Sequence, residues 1–235
     1  DMARKLQLSL LPSKLPKENP KISFIYKPSE MLGGDFIDIF EIDKDHWGIY
    51  IADVSGHGVL ASLFTVFLRS AIDKNTLSPA KALTRLYNEF NKIGFDTDLY
   101  ITIFYSVIDL QNMKITYSNA GHNVCPVIFG NLGFKILRKP GIPISDWMDK
   151  PGYTDDRICL NKGDRVFYSS DGIVEIKNNL KQQFGEERLL DILLNDKSEP
   201  CTVLNNIVAR AFNFAGIKST AELDDDITMA LLEIL

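Results

Sequence analysis

The sequence predicts an α+β domain built on antiparallel sheet, and three observations carry that prediction. Strand-like runs follow one another in hairpin order, helical runs come in pairs between them, and 45% of the 235 residues are hydrophobic, enough to bury a large core. A parallel sheet would instead alternate strands with single crossover helices.

Met2 to Leu11 places Leu6, Leu10 and Leu11 on one side of a short helix that Pro12 and Pro16 end. The chain opens inside this helix with Asp1 rather than Met, so a segment of a longer protein is expected. Residues 1–16 read as a linker helix and 17–235 as the domain it leads into. The runs Ile22 to Tyr26, Phe36 to Ile42 and Trp47 to Val54 have strand character, the last two joined by the turn residues Asp43, Lys44 and Asp45. Val59 to Ile72 and Pro79 to Ile93 then carry apolar residues at helical spacing, giving the first helical pair. Strands resume with Tyr100 to Leu110, Lys114 to Asn119, Val124 to Phe129 and Phe134 to Leu137. Pro140 to Arg157, rich in Pro, Gly and Asp, reads as a surface excursion before the strand Arg165 to Ser170. A second helical pair near Glu186 to Leu194 and Thr202 to Phe214 precedes a closing strand, Ile227 to Ile234.

Composition removes several function classes. A net charge of −5 without a concentrated basic patch argues against nucleic-acid binding. Cys125, Cys159 and Cys201 are far apart and odd in number, which fits neither a disulfide framework nor a thiolate zinc site and suits a reducing cytoplasm. No apolar run is long enough to span a bilayer, and no signal peptide is present in the sequence.

The chemistry is suggested by acids beside predicted strand ends: Gly33-Gly34-Asp35, Ala52-Asp53-Val54-Ser55-Gly56-His57-Gly58, Ser170-Asp171-Gly172 and Asp224-Asp225-Asp226-Ile227-Thr228. Hard divalent cations such as Mg²⁺ and Mn²⁺ prefer carboxylate and water oxygens, and neighbouring glycines allow close backbone approach. Each motif alone has a plain structural reading, since Asp-Gly is a common turn and a triple aspartate can be an exposed cap.

As an ordered set, Gly33-Gly34-Asp35-Phe36-Ile37-Asp38, Asp53 to Gly58, Asn119-Ala120-Gly121-His122-Asn123, Ser170-Asp171-Gly172 and Asp225-Asp226-Ile227-Thr228 resemble the motifs of SpoIIE/RsbU-type phosphatases, a branch of the metal-dependent PPM superfamily. Leu6 to Pro12 resembles the helical linker that precedes such domains. The resemblance implies an αββα four-layer sandwich, two antiparallel sheets flanked by helical pairs. It implies two ions, Mn²⁺ or Mg²⁺, with Asp53 bridging both, Asp171 and Asp225 completing one shell, and the Val54 carbonyl serving the other. Asp35 would stand at the second ion, through water. Asp225 is chosen over Asp226 by aligning Asp225-Asp226-Ile227-Thr228 with the family's closing Asp-Asn-hydrophobic-Ser/Thr pattern. Asp35, Asp53, Asp171 and Asp225 are thus the candidate catalytic set, hydrolysing phosphoserine or phosphothreonine directly with metal-activated water. The implied substrate is a phosphorylated STAS-domain protein of bacterial partner switching. An upstream sensor or activator would act through the N-terminal helix, which could also bring two copies together.

Other residues invite roles on weaker grounds. His57 could act as a general acid, but Val54, Ser55 and Gly56 separate it from Asp53, which favours helix entry or loop support. His122 suits hydrogen bonding of a turn, and His46 an ordinary turn position. Asp38, three positions past Asp35, is expected to project away from it. Lys27 and Arg69 could reach a phosphate, although solvent exposure is the usual fate of both types. None of the cysteines lies in the phosphate-cradling setting that thiol phosphatases need. Two competing readings are a regulatory module that binds without turnover and, from Gly33-Gly34-Asp35-Phe36, a diguanylate cyclase, which would need an acid where Phe36 stands.

Overall fold

The computed structural model describes residues 2–16, 18–56, 58–94, 99–147 and 149–235. The chain divides into two compact units, the first formed by 1–15, 32–123 and 138–160, the second by 16–31, 124–137 and 161–235. Each holds one five-stranded antiparallel sheet with its own helices, which makes the fold α+β as the strand and helix order predicts.

The first unit begins with α1 (Met2–Leu10) and is built around β2 (Asp35–Asp43), β3 (His46–Val54), β4 (Ile101–Asp109), β5 (Lys114–Ala120) and β8 (Asp156–Cys159), adjacent in that order. Side chains alternate along these strands. Phe36, Tyr50, Ala52, Val54, Ile103 and Tyr105 form one face and meet α2 (Gly58–Ala71) and α3 (Pro79–Ile93). The helix α3 has explicit signals at both ends. Ser78 accepts a hydrogen bond from the Lys81 N–H (3.3 Å), Pro79 occupies the first turn, and Gly94 stops the helix at φ 64°. Leu83, Leu86 and Phe90 are buried, each contributing about 1.5–3 kcal/mol.

The excursion at 140–157 is not wholly superficial. Ile144 is fully buried and exchanges main-chain hydrogen bonds with Ile101 (2.9 and 2.8 Å), so one apolar residue anchors a Pro- and Gly-rich stretch. The excursion also ends earlier than its composition suggests, because Asp156–Cys159 pairs with β5 as the edge strand.

The second unit orders β1 (Lys21–Lys27), β10 (Ile227–Glu233), β9 (Arg165–Ser169), β6 (Val127–Gly130) and β7 (Gly133–Ile136). Its sheet supplies Phe129, Phe167, Met229 and Leu231 to a core shared with the four-residue α4 (Gly172–Glu175), α5 (Gly185–Asn195) and α6 (Pro200–Ala215). Leu189, Ile192 and Leu193 of α5 and Val203, Leu204, Ile207 and Ala211 of α6 are the buried stripes that helical periodicity requires.

The N-terminal helix departs from its sequence reading. Leu10 and Leu11 lie against the first unit's core, but Leu6 is 58% exposed and the buried residue of α1 is Gln7. Gln7 Nε2 donates to the Gly33 carbonyl (2.7 Å), and the Gly33 N–H donates to Gln7 Oε1 (3.2 Å). A buried amide satisfied on both its sides by the main chain of one residue gives α1 a specific seat.

Candidate functional site

In the first unit, the antiparallel register of β2 and β3 places Asp35 directly across from Asp53. Cross-strand partners share a sheet face. Here it is the face opposite Phe36, Ala52 and Val54, which meet the helices. The Val54 N–H donates to the Gly34 carbonyl (3.2 Å), and a Cβ at Gly34 would stand 2.9 Å from the Val54 carbonyl oxygen. Gly34 therefore permits the close approach that sets Asp35, Asp53 and the Val54 carbonyl at one strand end. Directly opposed like charges repel, so a cation there would relieve a cost the register imposes.

Asp38 shares the strand but not the face. Its buried carboxylate pairs with Arg69 (3.1 Å) and Lys74 and accepts from Tyr50 Oη (3.4 Å). Arg69 also donates to the Leu10 carbonyl at the end of α1. Its guanidinium thus holds α1, α2 and β2 together, and a role as phosphate ligand is replaced by a structural one. Lys27 closes β1 opposite Ile227. His122 accepts the turn role, its N–H donating to Asn119 Oδ1 (2.8 Å) while Asn119 Nδ2 donates to the His122 carbonyl (3.1 Å). His46 lies between Asp43 (2.7 Å) and Asp109 (3.4 Å) at the β2–β3 turn. His57 falls outside the described residues.

In the second unit, β9 runs into Ser170-Asp171-Gly172. Ser170 ties that strand end to β10, its N–H donating to the Thr228 carbonyl (2.9 Å) and its Oγ accepting from the Thr228 N–H (3.1 Å). A Cβ at Gly172 would stand 1.9 Å from the Asp226 carbonyl oxygen, so only glycine lets the Asp171 turn lie against the Asp225-Asp226 backbone. Asp171 heads α4 without using its carboxylate as a cap. Burial raises the Asp225 carboxyl above its ordinary value, and the charges of Asp171, Asp226 and Glu175 raise it further, against the Asp226 N–H it accepts (2.8 Å).

Asp226 is engaged differently: its Oδ1 accepts from the Ser29 N–H (2.8 Å) and Ser29 Oγ (3.0 Å). A cavity of about 110 Å³ beside this cluster is lined by Glu175, Asp224 and Asp225 among others. Glu175 is a site acid that the motif reading missed, and its signal was its place four residues after Asp171, one helical turn on.

Among the described residues, no group of three His, Cys, Asp or Glu side chains is already drawn together closely enough to hold a metal ion. The donor sets within each unit nevertheless suit a hard divalent cation: carboxylate and carbonyl oxygens only, with an acid facing like charge. Among the same residues no helix is long and apolar enough to cross a membrane.

A sequence profile of the family described as Stage II sporulation protein E (SpoIIE) matches residues 43–235. The phosphoserine phosphatase RsbU of Bacillus subtilis is 27% identical over 99% of this chain and 69% of its own length. Protein IcfG of Synechocystis sp. is 26% identical over 88% of this chain, which spans only 37% of that protein. Among solved structures, the SiaA-PP2C domain of Pseudomonas aeruginosa superposes with a TM-score of 0.86 at 21% identity, covering 100% of this chain and 95% of that one.

Proposed function

We propose that this chain, which belongs to the SpoIIE family, is a metal-dependent protein serine/threonine phosphatase domain acting on a phosphorylated STAS-domain protein in bacterial partner switching. The observation that carries the reading is the cross-strand pair Asp35 and Asp53 set beside the Val54 carbonyl, an all-oxygen donor set built at a strand end.

In the first unit Asp53, Asp35 and the Val54 carbonyl would hold Mn²⁺ or Mg²⁺, and in the second Asp171 and Asp225 would do so. When bound, the ions supply a lowered water pKa and positive charge for the phosphoryl oxygens. The chain's own residues do the positioning: Gly34 and Gly172 admit the backbone approaches, Ser170 locks β9 to β10, and Ser29 keeps Asp226 occupied so that Asp225 is the acid left for metal. No group in this arrangement needs to form a covalent phosphoenzyme. The chain lies in the cytoplasm in this reading.

Control enters through α1. Gln7 grips the Gly33 peptide two residues before Asp35, and Arg69 grips the Leu10 carbonyl, so a sensor, an activator or a second copy that moves α1 would move the Asp35 turn.

The test is phosphate release from a phosphoserine-bearing STAS-domain protein. Activity is expected to require divalent metal, to vanish with EDTA, to return with Mn²⁺ or Mg²⁺, and to survive thiol alkylation. Loss of activity on alkylating Cys125, Cys159 and Cys201 in the folded protein, or hydrolysis undiminished by EDTA, would overturn the reading.

A further inference from the structure

We propose that Trp147, packed against Tyr100 in a tilted ring contact, is the docking platform for the phosphoprotein substrate beside its phosphoserine; this rests on the phosphatase reading above. The chain has two tryptophans, and they are treated differently. Trp47 is 9% exposed in the sheet, whereas Trp147 is 56% exposed. An indole left in water forgoes the burial that would stabilise it, and a large aromatic held in a fixed exposed position is the usual anchor of a binding surface.

Trp147 is held. Its ring lies 5.2 Å, centroid to centroid, from that of Tyr100, inclined by 53°. Three residues before it, Ile144 is buried and bound through its main chain to Ile101. Between them, the Ser145 carbonyl accepts from Asn91 Nδ2 on α3 (3.3 Å), and Ser145 Oγ accepts from the Trp147 N–H (3.4 Å). Tyr153 Oη donates to the Ile142 carbonyl (3.0 Å), tying the segment's two arms to each other. A Pro- and Gly-rich excursion fastened at this many points presents its aromatic with little ordering entropy left to lose on binding.

The location is what names the occupant. The Tyr100 N–H donates to Ser55 Oγ (2.9 Å), and the Ser55 N–H donates to the Tyr100 carbonyl (2.9 Å). Ser55 follows Val54 and stands two residues past Asp53, so the platform is fastened directly to the strand end that carries the proposed metal ligands. A protein substrate brings chain on either side of its phosphoserine that the Tyr100–Trp147 pair would contact, whereas a small aryl phosphate brings none. Trp147 is thus a specificity-determining residue: it acts on capture of the protein substrate and leaves the hydrolytic step to the acids.

The experiment compares the wild type, Trp147→Ala and Trp147→Phe in Mn²⁺ on two substrates, p-nitrophenyl phosphate and a phosphoserine-bearing STAS-domain protein, with thermal unfolding of each variant. Trp147→Ala should lower kcat/KM on the protein at least about tenfold, through KM, since truncating a buried aromatic anchor is commonly worth that much or more. The aryl phosphate should change less than twofold, and Trp147→Phe should keep most of the wild-type KM. Equal losses on both substrates, or no loss on the protein, would overturn the platform. Wild-type hydrolysis of the aryl phosphate without the protein would also overturn it as stated, by removing its occupant, while leaving the metal-dependent chemistry standing. Hydrolysis of neither would sink the phosphatase reading and the platform with it.

Discussion

Asp38 and Asp225 are acids of one type in opposite electrostatic settings. Asp38 is buried among partners: Arg69, Lys74 and the Tyr50 hydroxyl compensate its charge, and the cluster fastens α2 and the end of α1 to β2. Asp225 stands among Asp171, Asp226 and Glu175, so desolvation and like charge raise its carboxyl and oppose its ionisation. The first arrangement is complete as folded; the second sets Asp225 among like charges that a bound cation would offset. The contrast separates a structural acid from a proposed ligand more sharply than sequence position does, since both residues lie beside strand-end motifs.

The largest effect should come from Asp53, the proposed ligand that stands directly across from Asp35 at the strand end. Asp53→Asn should reduce turnover by more than the about 10- to 100-fold typical of changes one shell removed from a metal, with melting temperature nearly unchanged. Manganese-dependent phosphate release together with a thermal scan checks this; a variant that keeps wild-type rate would dismiss Asp53 as a ligand.

Asp38→Ala should act in the reverse sense. Removing one partner of a buried ion pair costs about 3–5 kcal/mol, and the partial exposure of Arg69 and Lys74 places the loss toward the lower end. Denaturant unfolding should show it directly, while the folded variant should still bind manganese. Gln7→Ala strands the buried Gly33 carbonyl and N–H, a loss of about 1–3 kcal/mol. It should also weaken manganese binding by loosening the Asp35 turn, and unchanged metal affinity would make α1 merely a packed helix.

The smallest effect carries the most informative sign. A carboxyl raised by folding contributes stability below the ordinary carboxylate range and loses it as pH rises through the raised value, so at pH 7 ionised Asp225 works against the metal-free fold. Asp225→Asn should therefore stabilise the metal-free protein near neutral pH, by no more than about 1 kcal/mol after solvent screening, and the gain should disappear at acid pH. A destabilised variant would place Asp225 with Asp38, among the structural acids.

Much of this was legible in the sequence because it is written in local signals. Ser78, Pro79 and Gly94 mark both ends of α3, and alternating apolar residues mark β2 to β5. The acids were legible as candidates because glycines adjoin them, and the structure gives two of those glycines a steric reason. What escaped depends on contacts distant in sequence or on very short elements. The single-turn α4 is too brief for helical periodicity to register, and β8 falls at the end of a stretch whose Pro, Gly and Asp content reads as loop. Ile144 looks like one apolar residue in a loop until Ile101 is seen to pair with it. Leucines dominate the reading of α1, yet Gln7 is the residue buried, because Gly33 satisfies both ends of its amide. Asp38 and Asp225 could not be told apart by charge patterning alone, since Arg69 and Lys74 reach Asp38 from 31 and 36 residues further along the chain.

The most direct test of the contrast is calorimetric titration of Mn²⁺ into the wild type, Asp225→Asn and Asp226→Asn at neutral pH. The account predicts wild-type-like binding in Asp226→Asn, whose amide oxygen can still accept from Ser29, and at least about tenfold weaker binding in Asp225→Asn. Undiminished manganese affinity in Asp225→Asn, or a larger loss in Asp226→Asn, would contradict it.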